Sequence, residues 1–186
     1  IGAMLDSVMT LFREEANNRS LSLRLWRPKR RIYVMGDPLL VRQSQINRIQ
    51  NALRYTYQGG VLIAIRPRGA DCVVEVWDTG VGIADEEKSK IFSPYYRPEL
   101  AWKIDSAGHG LGLAVVARCA KLMQVQYGMH SVEGKGSRFW MRFTQYLGEE
   151  KALESEATYD NITLPTQYPP LGGTCLVIDD DPLVTS

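Results

Sequence analysis

Three groups of residues in this chain have types and spacings that could do chemistry together. The first is Asp78-Thr-Gly-Val-Gly-Ile83, which follows the apolar run Cys72-Val-Val-Glu-Val-Trp77 and leads into Ala84-Asp85-Glu86-Glu87. A strand that delivers one carboxylate and then turns on two glycines can hold a flat, amine-bearing ring. The carboxylate accepts from an exocyclic amine, and glycine lets the backbone approach the ring with no side chain between. Alone, the same hexapeptide also makes an ordinary turn. The second group is Asn47 and Asn51, one helical turn apart, so that both amides reach one pocket. An amide oxygen suits magnesium, a hard ion that keeps several waters and takes its other ligands from the phosphates it bridges. Two asparagines on a helix surface are the plain alternative, although asparagine is a poor helix former and a pair at this spacing asks for a reason. The third is Gly108-His-Gly-Leu-Gly-Leu113, ahead of an apolar helix. Unencumbered amides and the positive end of a helix dipole there favour anionic phosphate. No Gly-Lys-Ser/Thr follows and no strand leads directly in, which excludes the Walker and dinucleotide fingerprints and leaves a ligand-free glycine hinge as the other reading.

The elements that must position these groups can be read from periodicity. Leu5, Val8, Met9, Phe12 and Ala16 predict an amphipathic helix over 4–19. Strands follow at 21–26 and 32–35, joined by Arg27-Pro-Lys-Arg-Arg31, a short basic run that reads as a solvated hairpin loop, with phosphate or lipid head groups as the alternative contact. Asp37-Pro38 starts a second helix, the carboxylate capping and proline suiting the first turn. Leu39, Ile46, Ile49 and Leu53 are expected to form its core stripe, with Asn47, Asn51 and Arg54 together on another face. Strands are expected at 61–66 and 72–77 around a turn at 67–71, then a short helix over 85–91. Residues 92–109 carry Pro94, Pro98 and Gly108 without a sustained period and read as a long loop. A helix over 111–123 and strands at 126–131 and 137–143 complete the pattern.

Composition narrows the class. With 186 residues, 45% hydrophobic and 23% charged, the chain has enough material for one domain with a real core. A formal net charge of +1 argues against a dedicated nucleic-acid or membrane surface. Cys72, Cys119 and Cys175 lie far apart, which fits neither a disulfide framework nor metal-ligand spacing and suits a reducing cytosol. No apolar run approaches the roughly 20 residues of a membrane span. The chain opens mid-helix in pattern and reads as a piece of something longer. If the parent crosses a membrane, this piece is not the part that does.

In this order the three groups resemble the nucleotide site of the histidine-kinase branch of the gyrase, chaperone, kinase and MutL (GHKL) ATPase superfamily. Asn47-Arg-Ile-Gln-Asn51-Ala-Leu-Arg-Tyr-Thr56 resembles its Asn box, Asp78 to Ile83 its first glycine box, Ile91-Phe-Ser-Pro-Tyr-Tyr-Arg97 its phenylalanine box and Gly108 to Leu113 its second glycine box. Gly134-Lys-Gly-Ser-Arg-Phe139 is similar to its closing strand signal. The resemblance covers about residues 1–146 and implies an α/β two-layer sandwich of the Bergerat type, one mixed sheet with about three helices on one face. It implies ATP and magnesium as ligands. Asn51 would ligate the ion and Asn47 assist near the phosphates. Asp78 would accept from the adenine amine, Gly80 and Gly82 shape that pocket, and Tyr55 lie by the ring. Arg54 would sit near the phosphates and residues 92–109 form the ATP lid, with Arg97 reaching the phosphates. Ile83, Gly108, His109, Gly110, Leu111, Gly112, Leu113 and Ser137 complete the expected nucleotide contacts.

One position separates branches of the superfamily. Hydrolytic members carry a glutamate where this chain has Asn47, and an amide cannot take a proton from water. The expectation is therefore slow hydrolysis and γ-phosphoryl transfer to an imidazole supplied elsewhere, on a dimerisation and phosphoacceptor domain of the parent. Neither His109 nor His130 lies in a phosphoacceptor motif, and both read as structural or solvent-facing, although His109 could touch a phosphate. The helix at 1–19 is expected to be the junction with the missing dimerisation hairpin. Residues 148–172, with Glu149, Glu150, Glu154, Glu156, Pro165, Pro169 and Pro170, read as a linker. Residues 173–186 resemble the first strand of a response-regulator receiver domain, with Asp179 and Asp180 as its magnesium-holding acidic pair. A receiver or response regulator is then a partner, in a cytoplasmic setting. A hydrolytic ATPase and a nucleotide-free interaction module on the same fold are the rivals.

Overall fold

The computed structural model describes residues 1–98 and 109–147. In chain order the elements are α1 (Gly2–Asn18), β1 (Ser22–Trp26), β2 (Tyr33–Val34), α2 (Pro38–Arg54), β3 (Gly60–Arg68), β4 (Asp71–Asp78), α3 (Gly112–Leu122), β5 (Gln126–Val132) and β6 (Gly136–Tyr146). They build one six-stranded sheet in the order β1-β3-β4-β6-β2, with β5 also paired to β6. β1 and β3 run parallel and the remaining pairs are antiparallel, so the sheet is mixed, as expected.

Each helix is held by the residues its sequence supplies. α1 buries Leu5, Val8, Met9, Phe12 and Ala16, the stripe its periodicity predicts. Asp37 caps α2, its Oδ1 accepting from Leu39 N at 2.8 Å and Leu40 N at 3.0 Å, with Pro38 in the first turn. At the other end Arg19 reaches across from α1 and donates to the carbonyls of Leu53 at 2.7 Å and Thr56 at 2.9 Å. The helix that carries both asparagines is thus pinned at its two termini.

The side chains of the three helices form one core with Val61, Ile63 and Ile65 of β3, Val74 and Val76 of β4, and Met141 and Phe143 of β6. Alternate residues of the same strands point the other way. That second face carries Trp26, Arg66, Glu75, Trp77 and Arg138: Arg66 lies 5.4 Å from the Trp26 ring centroid and Arg138 lies 5.0 Å from that of Trp77. Glu75 binds this layer together, accepting from Arg66 Nε at 2.8 Å and Trp77 Nε1 at 2.9 Å.

Four sequence expectations change. Arg27 to Arg31 do not close a hairpin, because β1 pairs with β3 and β2 with β6, at opposite edges of the sheet. Leu39 is 76% exposed and not part of the core, because α2 turns a partly polar stripe inward: Val41, Ser44, Gln45, Arg48, Ile49, Ala52 and Leu53 are buried. The expected helix over 85–91 is a single 3-10 turn, Asp85–Glu87, since Glu87 N bonds back to Ala84 O and Lys90 N to Glu87 O in successive three-residue turns. The β3–β4 hairpin is longer than predicted, with Pro67 paired to Cys72 and Arg68 to Asp71, and the reversal falls on Gly69 and Ala70, where Gly69 has φ +61°. At its other end β4 also runs one residue past the expected 72–77, so that Asp78 is the last residue of a strand paired on both sides, to Val61 of β3 and Ser137 of β6.

Candidate functional site

A cavity of about 360 Å³ opens between α2, the end of β4, the start of β6 and the N-terminus of α3. From α2 it receives Asn47, Asn51 and Arg54, the face that helical spacing assigned to them, together with Tyr55 at the C-cap. Asn47 Nδ2 donates to the Gln43 carbonyl at 2.9 Å, which leaves its oxygen as the available atom. Opposite, the second glycine cluster comes close to both amides: a Cβ added at Gly112 would meet Asn47 Oδ1 and the Asn51 amide atoms at 3.4 Å. Gly110, Leu111 and Leu113 share this wall. Leu111 caps α3 without a side-chain hydrogen bond, so the first-turn amides of an eleven-residue helix face the cavity with no side-chain acceptor.

The other end of the cavity is built around Asp78. Its Oδ1 accepts from Gly80 N at 2.9 Å and Ser137 N at 3.1 Å, and among the described residues its second oxygen has no hydrogen-bond partner. Burial pushes its pKa up to about 6, against the lowering effect of those two amide bonds. Gly80 does not line the cavity; its contribution is that amide, on a turn whose Val81 N bonds to Tyr55 O at 3.2 Å and whose neighbour Thr79 Oγ1 donates to Gln58 O at 2.7 Å. Gly82 does line it, at φ +68°, and a Cβ there would fall 2.1 Å from Val132 O. Ile83 N donates to Ser131 Oγ at 2.9 Å, and Ser131 in turn meets Ser137 Oγ at 2.9 Å, so the first glycine box is bolted to β5 and β6. We expect Gly82→Ala to lose about 2 kcal/mol or more of stability, because both the positive φ and the Val132 carbonyl oppose a methyl group. Urea denaturation at neutral pH measures it.

Of the remaining expected contacts, Ile83 and Ser137 line the cavity, as do Arg97, which is buried, and His109, which is exposed. Tyr95 N bonds to Gly110 O at 3.1 Å and so ties the segment after Ile91 to the glycine loop. His130 stands exposed on β5 and takes no part. Gly108, Asp179 and Asp180 lie outside the described residues, as do most of the expected lid, the linker and the receiver-like strand. The sequence reasoning missed Gln50, Tyr96 and Glu133. Gln50 was findable, since it stands three residues from Asn47 and four from Arg54. Glu133 comes from the β5–β6 turn, and only the fold brings it near.

The arrangement has two chemically distinct ends. One offers a half-buried carboxylate beside backbone glycines and apolar Ile83, Ile91 and Phe139; the other offers two amides, arginines and a helix N-terminus. An amine-bearing ring suits the first and a polyanion the second.

Comparison with known proteins agrees in kind. The model of the histidine kinase-, DNA gyrase B-, and HSP90-like ATPase family matches residues 36–147. The chain is 28% identical over 161 residues to the signal transduction histidine-protein kinase BarA of Escherichia coli (strain K12), covering 83% of this chain and 17% of that protein. It is 32% identical over 111 residues to the sensor histidine kinase RcsC of the same strain, covering 60% of this chain and 12% of the relative. The chain therefore spans only a small part of these relatives. Among solved structures, full-length ShkA in complex with AMPPNP aligns with a TM-score of 0.67 at 26% identity, over 77% of this chain and 30% of ShkA. The nucleotide-free catalytic domain of the histidine kinase ThkA aligns with a TM-score of 0.68 at 24% identity, over 77% of this chain and 91% of that domain.

Proposed function

We propose a function that starts from the family: this chain belongs to the histidine kinase-, DNA gyrase B-, and HSP90-like ATPases. Within that family it acts as the ATP-binding catalytic part of a two-component sensor histidine kinase, binding Mg-ATP and passing the γ-phosphoryl group to a histidine on a dimerisation domain of the parent. The observation that carries this reading is that Asp78 and the Asn47–Asn51 pair wall a single cavity.

The residues take these roles. Asp78 accepts from the adenine amine through the oxygen that Gly80 and Ser137 leave unengaged, while Tyr55, Ile83 and Phe139 flank the ring. Arg54, Arg97 and the α3 amides receive the phosphates, with Gly110 and Gly112 allowing close approach. Asn51 Oδ1 would hold magnesium and Asn47 assist it; the ion, when bound, neutralises charge on the phosphate oxygens. Magnesium bound there would take its remaining ligands from phosphate oxygens and water, as this ion ordinarily does; among the described residues no three His, Cys, Asp or Glu side chains gather to hold a metal. Asn47 supplies no general base, so positioning and charge neutralisation are what the protein contributes, and water attack is slow.

The wider assignment follows the same reading. Residues 1–147 are the catalytic unit, with α1 leading from the dimerisation hairpin, 148–172 a linker, and 173–186 a segment resembling the first strand of a receiver, with Asp179 and Asp180 as its acidic pair. A response regulator or receiver is the downstream partner. The same reading puts this part of the parent in the cytoplasm, where ATP is available; none of the described helices is long and apolar enough to cross a membrane.

Calorimetric titration of Mg-ATP into the 186-residue chain tests the reading, with Asn51→Ala and Asp78→Ala alongside. Saturable binding in the wild type that both substitutions weaken supports it, and a wild type that binds no nucleotide overturns it in favour of an interaction module. Appreciable phosphate release would instead revive the hydrolytic ATPase.

A further inference from the structure

Arg48 stands between two cavity residues in sequence, yet it points away from the cavity into the core, where it is 1% exposed. Its Nη1 donates to the Val74 carbonyl at 2.9 Å and to the Phe139 carbonyl at 3.3 Å, and its Nη2 donates to Gln45 Oε1. Its Nε has no partner. Among the described residues no carboxylate pairs with this guanidinium. Burial draws its pKa down to about 9, with no neighbouring charge acting the other way, and it is still protonated at neutral pH.

A buried cation without a counter-charge is expensive, and packing does not demand one, since apolar side chains often replace buried ionic groups with no loss. What surrounds Arg48 gives it a use. Asn47, Gln50 and Asn51 beside it on α2 line the cavity, while its own side chain leaves the same helix toward the sheet. The buried charge therefore lies across α2 from the amide end of the site, with the helix between them.

We propose that Arg48 is a positioning residue for the polyphosphate, a fixed cation whose missing counter-charge is the anion bound across the helix, so that the site favours a nucleotide triphosphate over the uncharged nucleoside. The inference rests on the nucleotide reading of the cavity. Because the intervening medium is protein, the attraction is poorly screened by solvent or salt.

The test compares Mg-ATP with adenosine by calorimetry, in the wild type and in the neutral variants Arg48→Met and Arg48→Gln. Removing the charge should weaken Mg-ATP by roughly tenfold and change adenosine by less than about twofold. Equal losses for both ligands would mean that Arg48 only clamps α2 to the sheet, and no loss for either would mean that it does nothing for binding; both results overturn the proposal. If circular dichroism shows that neither variant folds, the side-chain ¹⁵N signals of the wild-type Arg48 guanidinium decide: they should shift with Mg-ATP and stay with adenosine, and an identical response to the two overturns it. A wild type that binds neither ligand would sink the nucleotide reading as well, whereas equal losses sink this inference alone.

Discussion

Asp78→Asn should weaken Mg-ATP binding by roughly 100-fold while making the folded protein more stable at neutral pH. The binding loss follows from the bonds already made. Oδ1 is engaged by Gly80 and Ser137, so the second oxygen is what meets the ligand, and turning it into an amide sets a donor against the donor amine of adenine. The stability gain follows from linkage. The carboxyl titrates at 3.8 when unperturbed and at about 6 in the fold, so between those values the native protein holds more protons than the unfolded chain. Its contribution is fully present below pH 3.8 and is lost as pH rises through 6, by roughly 3 kcal/mol. Asparagine removes that loss. Urea denaturation of both proteins across pH 4 to 8 should show the variant gaining on the wild type as pH rises, and a constant difference would contradict the burial of Asp78. Wild-type affinity for Mg-ATP should fall as pH drops through the same region, because a protonated carboxyl is a poorer acceptor.

The second large effect is expected at Asn51. Asn51→Ala keeps the backbone bond from Tyr55 N at 3.1 Å, so α2 stays closed at its end and the loss is confined to the amide. With no acidic cluster among the described residues to replace it, the proposed phosphoryl transfer, assayed with the chain joined to its dimerisation domain, should fall by roughly 100-fold. ATP binding by the variant should lose its dependence on magnesium, and adenosine binding should not change. Radiolabel transfer and calorimetry with and without magnesium measure both, and retention of magnesium dependence would remove Asn51 as the ligand.

The fold was legible wherever burial and apolar character coincide. The α1 stripe, the strand leading to Asp78 and the helical phase of Asn47, Asn51 and Arg54 all follow from spacing alone. α2 defeated the same logic, because its inward face includes Ser44, Gln45 and Arg48, while Leu39 in its first turn stays in solvent. A buried arginine can be anticipated only when its acceptors are known, and these are carbonyls 26 and 91 residues away. The acidic 85–91 segment had helical composition, but its hydrogen bonds close over three residues. Glu133 joins the cavity through tertiary contact and carries no local signal, whereas Tyr96 lay within the phenylalanine box and was not singled out.

The face of the sheet turned away from the helices offers a built-in optical reporter. Trp77 precedes Asp78 on β4, donates its indole N–H to Glu75, and stacks against Arg138, the neighbour of Ser137. Trp77 and Trp140 do not line the cavity, so a ligand would not quench them by contact. Any tightening of the β4–β6 junction on occupancy should nevertheless alter the cation stacked on Trp77, and the intrinsic emission of the unlabelled protein would register it.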